Sequence, residues 1–232
     1  MMMDIFSSFD PFTNSLYQIS PTIFWMTSAM AITPLHASYW LSPSKTLSIS
    51  SYPLEIMSSQ TGRTFGGHLK SFSTIITALF IFLIVTNLIG LIPYTFSMST
   101  HLIMTLSLGL PLWLSLIMSS ALHAPMSFTA GLLPGGAPNW LNPFLVIIET
   151  LSISVRPITL SFRLAANLTA GHIILGLIGI YTSAAIFNSP TSFLILLSIQ
   201  TLYILFEVGI CLIQAYIFCL LLTLYADEHP SH

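Results

Sequence analysis

Charge is almost missing from this chain. Its 232 residues include five Lys or Arg and seven Asp or Glu, 5% in all, against about a quarter in soluble domains. That scarcity excludes a soluble globular domain. With a net charge of −2 it also excludes a nucleic-acid partner, which would need a basic face. Cysteine is nearly absent too. Cys211 and Cys219 lie eight residues apart in one apolar run, do not face each other well on a helix, and are expected as small buried hydrophobes. No G-x-x-x-x-G-K-[ST] loop occurs, and Gly135-Gly136 has no following lysine, so no direct nucleotide binding is expected. No basic residue precedes Lys45, so neither a signal-peptide n-region nor an arginine-rich transit peptide is expected. The histidines are scattered, and none is paired across neighbouring spans as haem ligands would be. No cofactor and no metal site are expected. His36, His101 and His123 read as interfacial or loop residues, and His229 and His232 as a solvated tail.

What the chain has instead is apolar length. It is 54% hydrophobic, with a mean hydropathy of +0.88. The expected fold is all-α, a polytopic membrane protein with about five membrane helices, forming a single membrane domain over 1–232. A span needs about 20 apolar residues to cross roughly 30 Å of hydrocarbon. The first is expected from about Ser15 to Trp40 and the second over Ser71–Pro93. The third covers His101–Leu122, with a kink at Pro111. The polar run 41–70, with Lys45, Glu55, Arg63 and Lys70, cannot span and is expected as an inner-side amphipathic segment. Gly131, Pro134, Gly135 and Gly136 mark 123–142 as a loop.

The last two runs are too long for simple spans. Pro143 to Phe187 would measure about 68 Å as one helix and Pro190 to Ala226 about 55 Å, roughly twice the hydrocarbon thickness. They are expected as a long, strongly tilted hairpin turning at Asn188, Ser189 and Pro190. Lys45, Arg63 and Lys70 all follow the first span, while Asp4 and Asp10 precede it. The positive-inside rule therefore puts 41–70 inside, the N-terminus outside and the 227–232 tail inside.

Into this hairpin the chain places its rare charges. Glu149, Arg156 and Arg163 are each seven residues apart, nearly two turns, and share one face of a continuous helix. Asn167 follows one turn later on that face. A bend at Pro157 would loosen the alignment of Glu149 and Arg156. His172 falls near the opposite face. The final run repeats the spacing with Gln200, Glu207 and Gln214. An arginine at membrane depth costs about 2.5–3.5 kcal/mol and marks function by default. Arg163 cannot relay protons, because arginine does not deprotonate in proteins. It can act only as a fixed positive charge. Glu149, His172 and Glu207 can titrate, and Asn167 and Gln214 can orient water or a charged partner. The alternative is that acids and arginines simply pair and glue the hairpin.

At these residues the chain resembles the family of subunit a of the F-type ATP synthase, in its mitochondrial form. The matching words are Arg163-Leu-Ala-Ala-Asn167-Leu-Thr-Ala-Gly171-His172, Ile147-Ile148-Glu149-Thr150 and Leu212-Ile213-Gln214-Ala215-Tyr216-Ile217-Phe218. Thr86-Asn87-Leu88-Ile89-Gly90-Leu91-Ile92-Pro93 and Pro111-Leu112-Trp113 are also similar. The resemblance runs from about Arg63 to Tyr225.

It implies a non-catalytic, proton-conducting stator subunit in the mitochondrial inner membrane, with its N-terminus on the intermembrane-space side. Its implied partners are a rotating ring of c subunits, the peripheral stalk and small membrane subunits, all in a lipid bilayer. Two offset half-channels would bring protons to and from carboxylates of the ring. Arg163 would separate them, and Asn167, His172, Glu207, Gln214 and Glu149 would line the path or its seam. Members that exchange the residues at the His172 and Glu207 positions imply that these two sit close across the hairpin. Arg156 lies outside the family's core pattern and takes no role from it.

Two other classes compete. A secondary ion-coupled transporter would show an internal repeat with broken helices at matching positions, and only the C-terminal half carries midplane charge. A structural membrane subunit of another respiratory complex would use the stripe as glue alone.

Overall fold

The computed structural model of the protein describes residues 9, 21–30, 45–68, 71–92, 97–133 and 140–227. Seven α-helices follow in order: α1 (Pro21–Met30), α2 (Lys45–Thr61), α3 (Phe72–Gly90), α4 (Leu102–His123), α5 (Pro125–Gly131), α6 (Asn142–Asn188) and α7 (Pro190–Asp227). Short 3-10 turns at Phe65–His68 and Met98–Thr100 complete the described elements. Among these residues α3, α4, α6 and α7 are long and apolar enough to cross a membrane. The expected first span is represented by α1 alone, 10 residues or about 15 Å; most of 15–40 lies outside the described residues. So do Asp4, Asp10, His36, Lys70, Pro134, Gly135, Gly136 and the 228–232 tail.

The hairpin is as long as the sequence demands. α6 has 47 residues and α7 has 38. Ser189, extended at φ −159° and ψ 138°, makes the reversal. Pro157 sits inside α6 without interrupting it, so Glu149, Arg156 and Arg163 do share one continuous helix. One expectation changes. The 123–142 segment is not all loop, because Pro125 starts a further helix that reaches Gly131, proline being well suited to a first helical turn. The polar 41–70 segment is largely helical, and its α2 buries Met57 and Thr61 completely.

The core lies where α3, α6 and α7 meet. From α7 come Cys211, Ala215, Phe218, Cys219, Leu222 and Ala226, a run of three- and four-residue steps that forms one helix stripe. From α6 come Leu160, Leu164 and Leu168 in the same rhythm, and α3 supplies Ile76, Phe80 and Leu83. Both cysteines are fully buried and free, as expected of small hydrophobes. α4 covers the α6 side: a Cβ on Gly109 would stand 3.6 Å from Leu160 and 3.7 Å from Phe218.

The two ends of the four-span set meet. Gly66 N–H donates to Asp227 Oδ1 at 3.2 Å, and Thr61 Oγ1 bonds Ser73 Oγ at 3.0 Å. Ser71, at φ 63°, turns the chain into α3. Four crossings return a chain to the side it left, so this contact agrees with the count of spans. A methyl on Gly66 would lie 2.6 Å from the Ala226 Cβ. Gly66→Val should therefore cost about 1–3 kcal/mol by overpacking. The check is the thermal midpoint of the detergent-solubilised protein, which should fall; an unchanged midpoint would show that the contact is not packed tightly.

Candidate functional site

Two buried stripes converge on one point. The buried face of α6 continues from Leu164 and Leu168 to Gly171, and that of α7 runs back from Ala215 and Cys211 to Glu207. Glu207 is 0% exposed, an unusual place for an unpaired acid. The carboxylate fits only because position 171 has no side chain: a Cβ there would overlap Glu207 Oε1. Among the described residues the Tyr203 hydroxyl, one turn earlier on α7, neighbours the carboxylate, but neither oxygen has a hydrogen bond of full geometry.

His172, the next residue, turns away from this contact. Its Nε2 lies against Gly90 of α3, 3.8 Å from where a Cβ would stand, and Ser97 borders the same spot. The Phe9 ring meets the imidazole edge-on with centroids 6.2 Å apart. Glu207 and His172 thus occupy the same level of the hairpin, on adjoining sides of α6. The sequence placed His172 away from the Arg163 face, and its contact with α3 explains that offset.

Asn87 completes the level and was not singled out from the sequence as a site residue. It is fully buried in α3. Its Nδ2 donates to the Cys211 carbonyl at 3.4 Å, one turn beyond Glu207, while Oδ1 is without a partner among the described residues. An amide inside a 19-residue apolar span was the available signal, since polar groups in such spans seek interhelical bonds.

Arg163 is placed differently. It is exposed on α6 beside Phe162, which is 50% exposed. Among the described residues no carboxylate lies within ion-pair distance of it. Asn167, half-buried, follows one turn later, and Gln214 is half-buried on α7. The other arginine is engaged. Arg156 Nη2 lies 3.9 Å from Glu149 Oε1, and its guanidinium stands 5.1 Å from the centre of the Tyr225 ring on α7. Gln200, the first member of the second stripe, accepts from Thr182 Oγ1 across the hairpin at 3.5 Å. The stripe is therefore partly glue and partly not. Glu149, Arg156 and Gln200 bind within the chain, whereas among the described residues Arg163 and Glu207 find no ion pair, and Glu207 has the Tyr203 hydroxyl, one turn earlier on α7, beside it.

His101, at the start of α4, lies 5.5 Å from the Trp25 ring. Among the described residues no cluster of His, Cys, Asp or Glu could hold a metal ion.

This is an all-helical, polytopic membrane protein whose described residues include an exposed arginine without an ion pair and a fully buried acid on its two longest helices. The chain matches the ATP synthase A chain family over residues 16–227 and belongs to it. It is 39% identical to "ATP synthase subunit a" of Albinaria caerulea over 99% of this chain and 100% of that protein. It is 35% identical to "ATP synthase subunit a" of Artemia franciscana over 98% and 100%. With "ATP synthase F(0) complex subunit a" of Alligator mississippiensis it shares 39% over 98% and 100%.

Proposed function

We propose that this chain is the proton-conducting stator subunit of the ATP synthase membrane sector, in the mitochondrial inner membrane, with its N-terminus on the intermembrane-space side. The animal relatives and their near-complete overlap support the location and the assembly. The observation that carries the mechanism is the exposed Arg163, without an ion pair among the described residues. A cation at membrane depth that finds no acid among them needs one from elsewhere, from a neighbouring subunit or from water. Carboxylates on a rotating c-ring, passing the exposed face of α6, supply it.

The spacing along α6 suits two offset half-channels. Glu149 and His172 are 23 residues apart, about 35 Å along the axis of the tilted helix. Arg163 lies between them. Glu207 and His172 would hand protons to the ring at one end, with Asn87 orienting water beside them, and Glu149 would receive them at the other. Arg163 holds the passing carboxylate ionised and, being unable to lose a proton itself, blocks direct leakage. Asn167 and Gln214 would orient water along the seam. The chain itself performs no covalent catalysis; the peripheral stalk and small membrane subunits would hold it still.

ATP-driven proton pumping by the assembled complex carrying Arg163→Ala tests this reading: lost pumping supports it and normal pumping overturns it. Asn87→Leu gives a second check. The swap is close in volume and removes an orphaned acceptor, so stability should change by no more than about 1.5 kcal/mol. Pumping should nevertheless fall severalfold. Unchanged pumping would remove Asn87 from the path.

A further inference from the structure

At the open end of the hairpin one side chain bridges the two helices. Arg156 reaches the Glu149 carboxylate of its own helix at 3.9 Å and stands over the Tyr225 ring of α7. Tyr225 is the residue before Ala226, whose neighbour Asp227 accepts from Gly66 N–H. Three partly buried groups from two helices thus meet at a point two helical turns from Arg163. Each contact uses a different property of the guanidinium: its charge on the acid, and its flat face on the ring.

We propose that Arg156 is a positioning residue for proton transfer: it fixes the Glu149 carboxylate against α7 at one end of the path. This rests on the proton-path reading above. Without Arg156, the Glu149 side chain would be free to leave the seam between α6 and α7. Without the Tyr225 ring, Arg156 would keep its acid but lose its registration on α7. The two residues therefore act in series, and removing both should cost no more than removing Arg156 alone.

The experiment is ATP-driven proton pumping in vesicles carrying the whole complex, with assembly followed on native gels. Arg156→Gln should lower pumping by about tenfold in assembled complexes, and Tyr225→Leu by about threefold. Tyr225→Phe keeps the ring face and should pump normally, and Arg156→Lys should recover part of the loss. The double variant Arg156→Gln/Tyr225→Leu should match Arg156→Gln. Normal pumping in Arg156→Gln overturns the proposal, as do losses that multiply in the double variant, which would mean independent roles. Should Arg156→Gln fail to assemble, the same cycle is run with Arg156→Lys against Tyr225→Leu, and the same non-additivity decides. Arg163→Ala is run alongside. Normal pumping there ends the proton-path reading itself, whereas lost pumping there with normal pumping in Arg156→Gln ends only the positioning role.

Discussion

Complexes carrying Arg163→Ala should assemble normally and pump no protons. The side chain is exposed and makes no ion pair among the described residues, so its removal deletes no core contact. Substitutions of that kind usually stay within about 0.5 kcal/mol of the parent. The functional loss should be far larger. A proton crossing 100 mV is worth about 2.3 kcal/mol, or roughly a factor of 50 at room temperature. Pumping should fall by at least about that factor once protons can pass directly between the half-channels. Arg163→Lys should do better than alanine but worse than arginine. It keeps the charge, but its compact ammonium is strongly hydrated and can lose its proton when buried. Pumping at the parent rate in assembled Arg163→Ala complexes would return the whole stripe to structural glue.

Gly171→Ala should displace the Glu207 carboxylate and cut pumping by about tenfold, equivalent to about 1.4 kcal/mol of barrier. The new methyl would occupy the space the carboxylate now fills. The helices could separate instead, but that would loosen the contacts of Cys211, Ala215 and Phe218, all nearly or fully buried. Overpacking relieved by backbone movement costs about 1–3 kcal/mol. Turning one side chain off its rotamer costs about 0.5–1.5 kcal/mol. The acid should move first, leaving assembly intact on native gels. A shorter acid clears the methyl, so adding Glu207→Asp should restore part of the pumping. If Gly171→Ala pumps like the parent, the position of this carboxylate does not matter to proton flow.

Much of this architecture was legible in the residues. Run lengths gave the α6–α7 hairpin, and Asn188-Ser189-Pro190 gave its turn. The seven-residue steps placed the polar groups on faces. The pairing within the stripe was not legible. A spacing of seven joins Glu149 to Arg156 as well as Arg156 to Arg163. Tyr225 decides the matter by drawing Arg156 onto α7, a contact 69 residues distant in sequence that no local pattern reports. Gly171 was similarly opaque, since a glycine in a helix reads as weak propensity until the acid opposite it is known. The helix Pro125–Gly131 is obscured for a plainer reason. Three glycines and a proline within 131–136 give a loop signal that outweighs the single favourable proline of the helix's first turn.

The contacts that join α7 to α3 and to the 62–68 turn span most of the chain. Asn87 meets Cys211 across 124 residues, Cys219 Sγ meets the Ile76 carbonyl across 143, and Gly66 meets Asp227 across 161. None of them can form while the ribosome is still making α6. Until the last helix enters the bilayer, the part of α3 that faces α7, Asn87 included, lacks its final partner. Such late-closing topologies leave long-lived, sticky intermediates. A chain shortened by a premature stop within α7 would be trapped in that state. Its defect would surface as instability of the subunit and its removal by membrane proteases, well before any question of proton flow arose.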